Sequence, residues 1–353
     1  MRILVALVLL AGAAQAQSTG GAPAKEGAPA KQERSAEPQR KRDGEPPPSG
    51  PREQQSSDAT DQGKDDDEDL AARALERSLV QRGAQLLPVW GAELEPELVY
   101  AHTGSDTVVT LPAGPISLRS RIHDLTGVLT FRLGLPWEAQ VDASLPFRRV
   151  ARDLVFGGGG DAPLGAGVAH NYTAGAGFGD PHLALNYLLR SRQTVPDLLI
   201  TVSWKPPLGT SPYESAPGQI GLGSGFHSVG AAFTVSKAVD PLVYLAGLSY
   251  IANLTVDTSL GRLQPGDSWG LRAGTILAVS AEASMSFLLD FDYTAESRFA
   301  GSRALGTDRT IATLELGLAM VVSRRTLLSF AVDVGLTADA PDVQMRVAVP
   351  VRF

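Results

Sequence analysis

A chain of 353 residues with no cysteine and a formal net charge of −7 excludes disulfides, thiolate metal centres, a cysteine nucleophile and a lipid-modified N-terminal cysteine. The negative balance also argues against nucleic-acid binding. Hydrophobic residues make up 43% of the chain, a globular-looking mean that hides three segments of quite different composition.

The first segment, residues 1–16, reads as a cleaved secretory signal. Arg2 provides the positive start, Ile3 to Leu10 are almost purely aliphatic, and Ala14-Gln15-Ala16 offers the small residues before the cut. A spanning helix needs about 20 apolar residues, and this run is interrupted at Gln15 and Gln17. No later stretch is long and apolar enough for a spanning helix, so membrane residence requires another architecture.

Residues 17–69 follow as a disordered periplasmic arm. From Ser18 to Asp69 there is no Leu, Ile, Val, Met, Phe, Tyr or Trp, and the segment carries thirteen acids against eight bases if Gln17 is included. Such a stretch cannot bury enough apolar surface to offset its ordering entropy. A short amphipathic helix is expected over 70–83. Leu70, Ala74, Leu75 and Leu79 share a face, Arg77 and Arg82 sit late, and Gly83 marks the stop. It is read as a spacer lying against the rest of the protein, with recruitment of a periplasmic partner as the alternative.

After Pro88 the period changes to two. Trp137, Ala139, Val141, Ala143, Leu145 and Phe147 interleave with Glu138, Gln140, Asp142, Ser144 and Pro146. Ala283, Met285, Phe287, Leu289, Phe291 and Tyr293 interleave in the same way with Ser284, Ser286, Leu288, Asp290 and Asp292, as a strand between two different solvents requires. Twelve such strands are expected, at 92–102, 121–134, 137–147, 180–190, 197–206, 225–237, 241–252, 268–280, 283–293, 310–322, 325–336 and 342–353. Alternation alone would also suit a soluble sandwich. The connections decide: 135–136, 191–196, 238–240, 281–282 and 323–324 are short, and those between them are mostly long and glycine-rich. That rhythm belongs to bacterial outer-membrane barrels, with tight periplasmic turns and longer extracellular loops.

The fold class is therefore all-β, a twelve-stranded antiparallel transmembrane β-barrel over residues 90–353 in the cell outer membrane. Trp137, Phe147, Tyr244, Tyr250, Trp269, Tyr293 and Phe353 fall on the apolar face, most of them near strand ends, where aromatic girdles contact lipid. The last strand alternates from Val343 to Phe353, and a C-terminal strand ending in Phe resembles the signal by which such barrels are recognised for insertion. Expected partners are thus outer-membrane lipid and, through Phe353, the barrel-assembly machinery.

Two local patterns resemble a known family. They are Gly177-Phe178-Gly179-Asp180 ahead of Leu183, Leu185, Tyr187 and Leu189, and Pro196-Asp197 leading through Trp204-Lys205-Pro206 to Gly209. The stretch from about residue 86 to 353 is similar to the outer-membrane transporter family named for the meta-pathway of phenol degradation. Such proteins often have Pro-Thr-Gly where this chain has Pro206-Pro207-Leu208-Gly209. The resemblance implies a barrel and a transport role, with small aromatic compounds suggested by the family's name alone.

The residues offer little catalytic chemistry. His102, His123, His170, His182 and His227 are scattered without metal-ligand spacing, and are read as interface or loop residues. Glycines at 157–160 and 175–179 lack the strand-then-helix context of a phosphate loop. A membrane esterase would need a Ser–His constellation, for which His102 with Ser105 and His227 with Ser228 are the best offers. No catalytic residue, cofactor or metal site is expected.

The lumen is more informative. Inward parity collects Arg132, Arg190, Lys205, Arg272, Arg346 and Arg352 against Glu138, Asp142, Asp290, Asp292, Glu315 and Asp333, a balance that argues against strong ion selectivity. Arg272, Asp290, Glu315, Asp333 and Arg346 fall at similar heights on five consecutive strands and are expected to form a charged belt, either a structural ladder or a constriction on a solute path. The functional expectation is passive passage of small, aromatic or hydrophobic, solutes, because no plug domain or nucleotide site offers a means to couple energy. The alternative is a scaffolding barrel with a closed lumen.

Overall fold

The computed structural model describes residues 79–80, 85–111, 114–158, 169–189, 196–214, 219–259, 261–280 and 282–353. The signal, the arm, Arg190 and all of the expected helix except Leu79 and Val80 lie outside the described residues. In chain order the strands are β1 Ala92–Leu111, β2 Gly114–Leu135, β3 Ala139–Gly158, β4 Ala169–Phe178, β5 His182–Leu189, β6 Asp197–Lys205, β7 Ser228–Val239, β8 Leu242–Asn253, β9 Val256–Thr258, β10 Gly261–Gln264, β11 Ser268–Ala278, β12 Ala283–Thr294, β13 Arg298–Phe299, β14 Ser302–Arg303, β15 Arg309–Val321, β16 Leu327–Gly335, β17 Val343–Ala348 and β18 Val351–Arg352.

Each strand of the main sheet pairs antiparallel with its neighbours, and β1 closes the cylinder against β17 and β18, as in Glu97↔Ala348 and Glu93↔Arg352. Both β4 and β5 pair with β3, so they form one interrupted stave. In the same way, β17 and β18 form one stave broken at Pro350, which has no N–H to give to the ladder. Counted by staves, this is a closed twelve-stranded antiparallel barrel. The short strands β9, β10, β13 and β14 make a separate small sheet in the loops at the end opposite the short turns.

Three strands depart from expectation in length. β1, β2 and β3 run for 20, 22 and 20 residues, and at about 3.3 Å per residue they reach more than twice the ~25 Å height of an apolar membrane band. Pairing persists through Thr103, Ser105, Thr107, Ser117 and Ser120. No lipid demands an apolar face that far out, so the alternation fades while the hydrogen-bond ladder continues. Taking the short-turn end as periplasmic, this extension is extracellular.

Trp137 and Glu138 require a correction. They do not begin a strand but form the β2–β3 turn, with φ of 63° and 57°. Two consecutive positive values are what a tight hairpin needs to match the right-handed strand twist. Glu138 is consequently a turn residue rather than a lumen acid.

The outer face carries a broad apolar band. Leu98, Leu129, Phe233, Leu248, Leu271 and Leu316 are all exposed, an area far beyond the isolated patches tolerated on soluble proteins. Tyr244 and Phe353 mark one rim, and Trp204, Trp269 and Tyr293 mark the other. Near mid-stave, Leu316→Arg should cost about 2–4 kcal/mol, as for a charge facing lipid at the bilayer midplane. A lowered urea midpoint in lipid micelles reads this out, and an unchanged midpoint would mean that the face assigned to lipid is wrong.

Candidate functional site

At its periplasmic end the lumen is apolar on the side of β8, β11 and β12. Val243 and Leu245 from β8, Ile276 from β11 and Leu288 from β12 point inward and form one buried cluster, against which Leu79 packs. Val80 is buried as well, and Leu79 and Val80 are helical. From Leu87 the chain again lies against the inner wall. Leu87 N–H donates to Gln140 Oε1 at 2.8 Å, and Pro88 crosses Gly134 so closely that a Cβ there would lie 2.2 Å from its carbonyl oxygen. The described part of the segment before β1 thus packs inside the barrel and narrows its periplasmic end. The driving force is the apolar cluster itself, which would otherwise line a wet lumen.

On the β1–β2 side of the same end lies a hydrogen-bonded chain of charges. Arg132 Nη1 donates to Glu93 at 2.8 Å and to Glu95 at 2.9 Å, and Arg352 Nε donates to Glu93 at 3.0 Å. Beside Arg132 on the same wall, on β3, β5 and β6, Gln140 and Asn186 donate to the two oxygens of Asp142 at 2.7 and 2.8 Å, and Thr201 Oγ1 donates to Asn186 Oδ1 at 2.7 Å. Glu93 and Glu95 were not among the acids expected inside, nor was Glu97. Their signal is in the sequence, since Glu93, Glu95 and Glu97 alternate with Leu94, Pro96 and Leu98. They add three acids to the inner wall, where Arg148 and Arg309 add two bases.

The five belt residues all face the lumen, but they form two groups rather than one ladder. Arg272 pairs with Asp290 across β11 and β12, and Asp292 lines the same cavities. Arg346 serves three carboxylates: Asp333 at 2.7 Å, Glu315 at 3.3 Å and Glu97 at 3.5 Å. Glu315 and Asp333 sit directly opposite one another on β15 and β16. Asp290 instead faces Thr313, because strand stagger sets its height apart from that of Glu315. A single guanidinium can serve several acids at once because its five donors fan out in a fixed plane.

At the extracellular level, a loop folds against the inner wall. Asp180, in the break between β4 and β5, accepts from Gly209 N–H at 2.9 Å and from the N–H and hydroxyl of Ser224, both at 2.6 Å. Arg148 donates to the carbonyl of Leu222 at 3.2 Å. Leu222 is buried, and a Cβ on Gly177 would meet its Cδ1 at 3.0 Å. At Gly223 a Cβ would stand 2.5 Å from the Asp180 carboxylate, so only glycine lets the loop close on its anchor. The two motifs that carried the family resemblance thus meet in space, through Asp180 and Gly209. Neither motif alone indicates this contact.

Three cavities follow one another below that loop. The uppermost, about 370 Å³, is lined by His182, Lys205, Phe226 and Arg309 among others. Two more, of about 210 and 280 Å³, share Arg272, Asp290 and Asp292. His182 is thus a lumen residue and not an interface one. The serine–histidine pairs do not form a constellation. His227 stacks on outward-facing Trp204, with ring centroids 6.0 Å apart, while Ser228 turns inward to Asn253. His102 packs against His123 on the outer face, and Ser105 contacts Thr107.

No protein-family model matches the chain. Among solved structures, an outer-membrane channel from Pseudomonas putida F1 is similar at TM-score 0.55 and 16% identity, over 76% of this chain and 97% of that one. The translocator domain of the autotransporter NalP from Neisseria meningitidis aligns at TM-score 0.41 and 13% identity, over 80% of this chain and 96% of its own. A Pseudomonas aeruginosa FadL homologue aligns at TM-score 0.37 and 8% identity, over 76% and 90%. At such identities the likeness to the channel shows the fold, that of an outer-membrane β-barrel.

Proposed function

We propose that the chain resides in the outer membrane and mediates passive passage of small solutes through its lumen. The observation that carries this is the succession of cavities of about 370, 210 and 280 Å³ along the inner wall. A barrel built only as a scaffold has no reason to leave such space beside charged side chains, which are costly unless paired or wet. In this reading, Arg272, Asp290, Asp292 and Arg346 line a polar constriction on the solute path, with Glu315 and Asp333 held behind it. The family resemblance suggests small aromatic or other hydrophobic compounds as candidates and does not indicate a particular one.

A second reading has a specific observation in its favour. Leu79, packed on the apolar cluster, narrows the periplasmic end, as a closed scaffold would require. Purified mature protein in planar bilayers separates the two. The channel reading expects brief openings, with uptake into liposomes of some members of a panel of aromatics, fatty acids and sugars. Silence together with no uptake across the panel would favour the scaffold.

A further inference from the structure

We propose that the extracellular chamber of the lumen is a binding subsite for small organic carboxylates, an aryl or short alkyl body bearing a single negative charge. The proposal deepens the channel reading by naming a solute class. It rests on a difference between cavities of one lumen. The two lower cavities carry Asp290 and Asp292 beside Arg272, whereas the lining of the upper one includes His182, Lys205 and Arg309 and no carboxylate.

The charged groups around the chamber leave its cations available. No acid lies within ion-pair distance of Lys205 among the described residues; its charged neighbours are Asp180 and Arg148. Asp180 is committed to Gly209 and Ser224 through three hydrogen bonds. Among the described residues the Arg309 guanidinium donates to the backbone oxygen of Asp339, at 3.4 Å, and forms no ion pair, while the Asp339 carboxylate accepts from Thr310 N–H. His182 has Asp142 below it and Lys205 beside it. The hydroxyl of Ser203 projects over Gly230, where a Cβ would lie 2.6 Å from its Oγ, so glycine there leaves this polar wall room.

The remainder of the lining sets the body of the ligand. Lys205 Nζ lies 5.8 Å from the centroid of the Phe226 ring, and Ile251 reaches the chamber from β8. A cation against an aromatic face, with an aliphatic residue in the same lining, suits a carboxylate attached to an apolar group better than a fully hydrated inorganic anion. The volume of about 370 Å³ lies at the small end of ligand pockets, the size of a single ring or a short chain.

The test is equilibrium binding to the full mature chain in detergent, by calorimetry or ligand-observed NMR, which works whether or not the pore conducts. The probes are benzoate, hexanoate, benzyl alcohol, benzylamine and inorganic phosphate. Benzoate should bind at least about tenfold tighter than benzyl alcohol or benzylamine, as expected for one charge-assisted contact. Lys205→Gln should remove that preference, Lys205→Arg should keep it, and His182→Gln should weaken it less; heat-modifiable migration verifies folding of each variant. Equal binding of benzoate and benzylamine, phosphate outcompeting benzoate, or an unaffected Lys205→Gln variant would overturn the proposal. Conductance that benzoate does not change, with no benzoate bound, would sink the subsite and leave the channel standing. Benzoate binding in a barrel silent in bilayers would do the reverse.

Discussion

Arg132→Met should destabilise the barrel by about 3–5 kcal/mol, the usual cost of stripping the partner from a buried charge. Glu93 and Glu95 are 3% and 4% exposed, and Arg132 reaches both of them, at 2.8 and 2.9 Å. Methionine fills much of the volume without the charge, so the loss reports electrostatics and not a cavity. Arg352 still holds one oxygen of Glu93, which leaves Glu95 as the acid most exposed to the change. The measurement is the urea or thermal midpoint of heat-modifiable migration. Adding Glu93→Gln and Glu95→Gln should restore most of the loss, because it removes the stranded charge; no rescue would show that Arg132 acts by packing alone. Arg346→Ala provides the contrast. Its side chain is 30% exposed and borders a cavity, so stability should fall less. The three carboxylates it leaves behind should instead shift the pore toward cations. Loss of stability equal to that of Arg132→Met, without a change in ion preference, would make the Arg346 group a structural ladder.

Asp180→Ala should release the 206–227 loop and raise the open probability in planar bilayers. Its carboxylate accepts from two backbone N–H groups and one hydroxyl, and hydrogen bonds to a charged acceptor are each worth about 1.5–3 kcal/mol. Few other polar contacts hold the loop to the wall, chief among them the Arg148 bond to Leu222. Asp180→Asn should be intermediate, since an amide presents one acceptor and turns a donor toward another donor. Amide exchange at Gly209 and Ser224 reads the docking directly and is independent of conduction. Exchange unchanged in Asp180→Ala would mean that Leu222 in its groove beside Gly177, and not the carboxylate, holds the loop.

The barrel was legible in the sequence because a strand between lipid and a polar interior must alternate, and every side chain on the wrong face is penalised separately. That local rule places Val141, Leu145 and Phe147 outside and Gln140 and Asp142 inside from single-residue steps, and it places Arg272, Asp290, Glu315, Asp333 and Arg346 on the inner wall. It also carries the triplet Glu93, Glu95 and Glu97, whose alternation was equally plain. Where the bilayer ends the rule lapses, so the extracellular length of β1 to β3 and the stave half at β4 left little apolar pattern to read. Partner choice inside the lumen was another matter. Whether Arg346 serves Asp290 or Glu97 depends on strand stagger and on which strand closes the cylinder, and these are set by the sheet as a whole. The meeting of Asp180 with Gly209 and Ser224, and the entry of Leu79 onto Val243 and Ile276, join segments far apart in sequence. Only chain closure brings such groups together, because alternation fixes the face a side chain occupies and carries no information about what stands across the lumen from it.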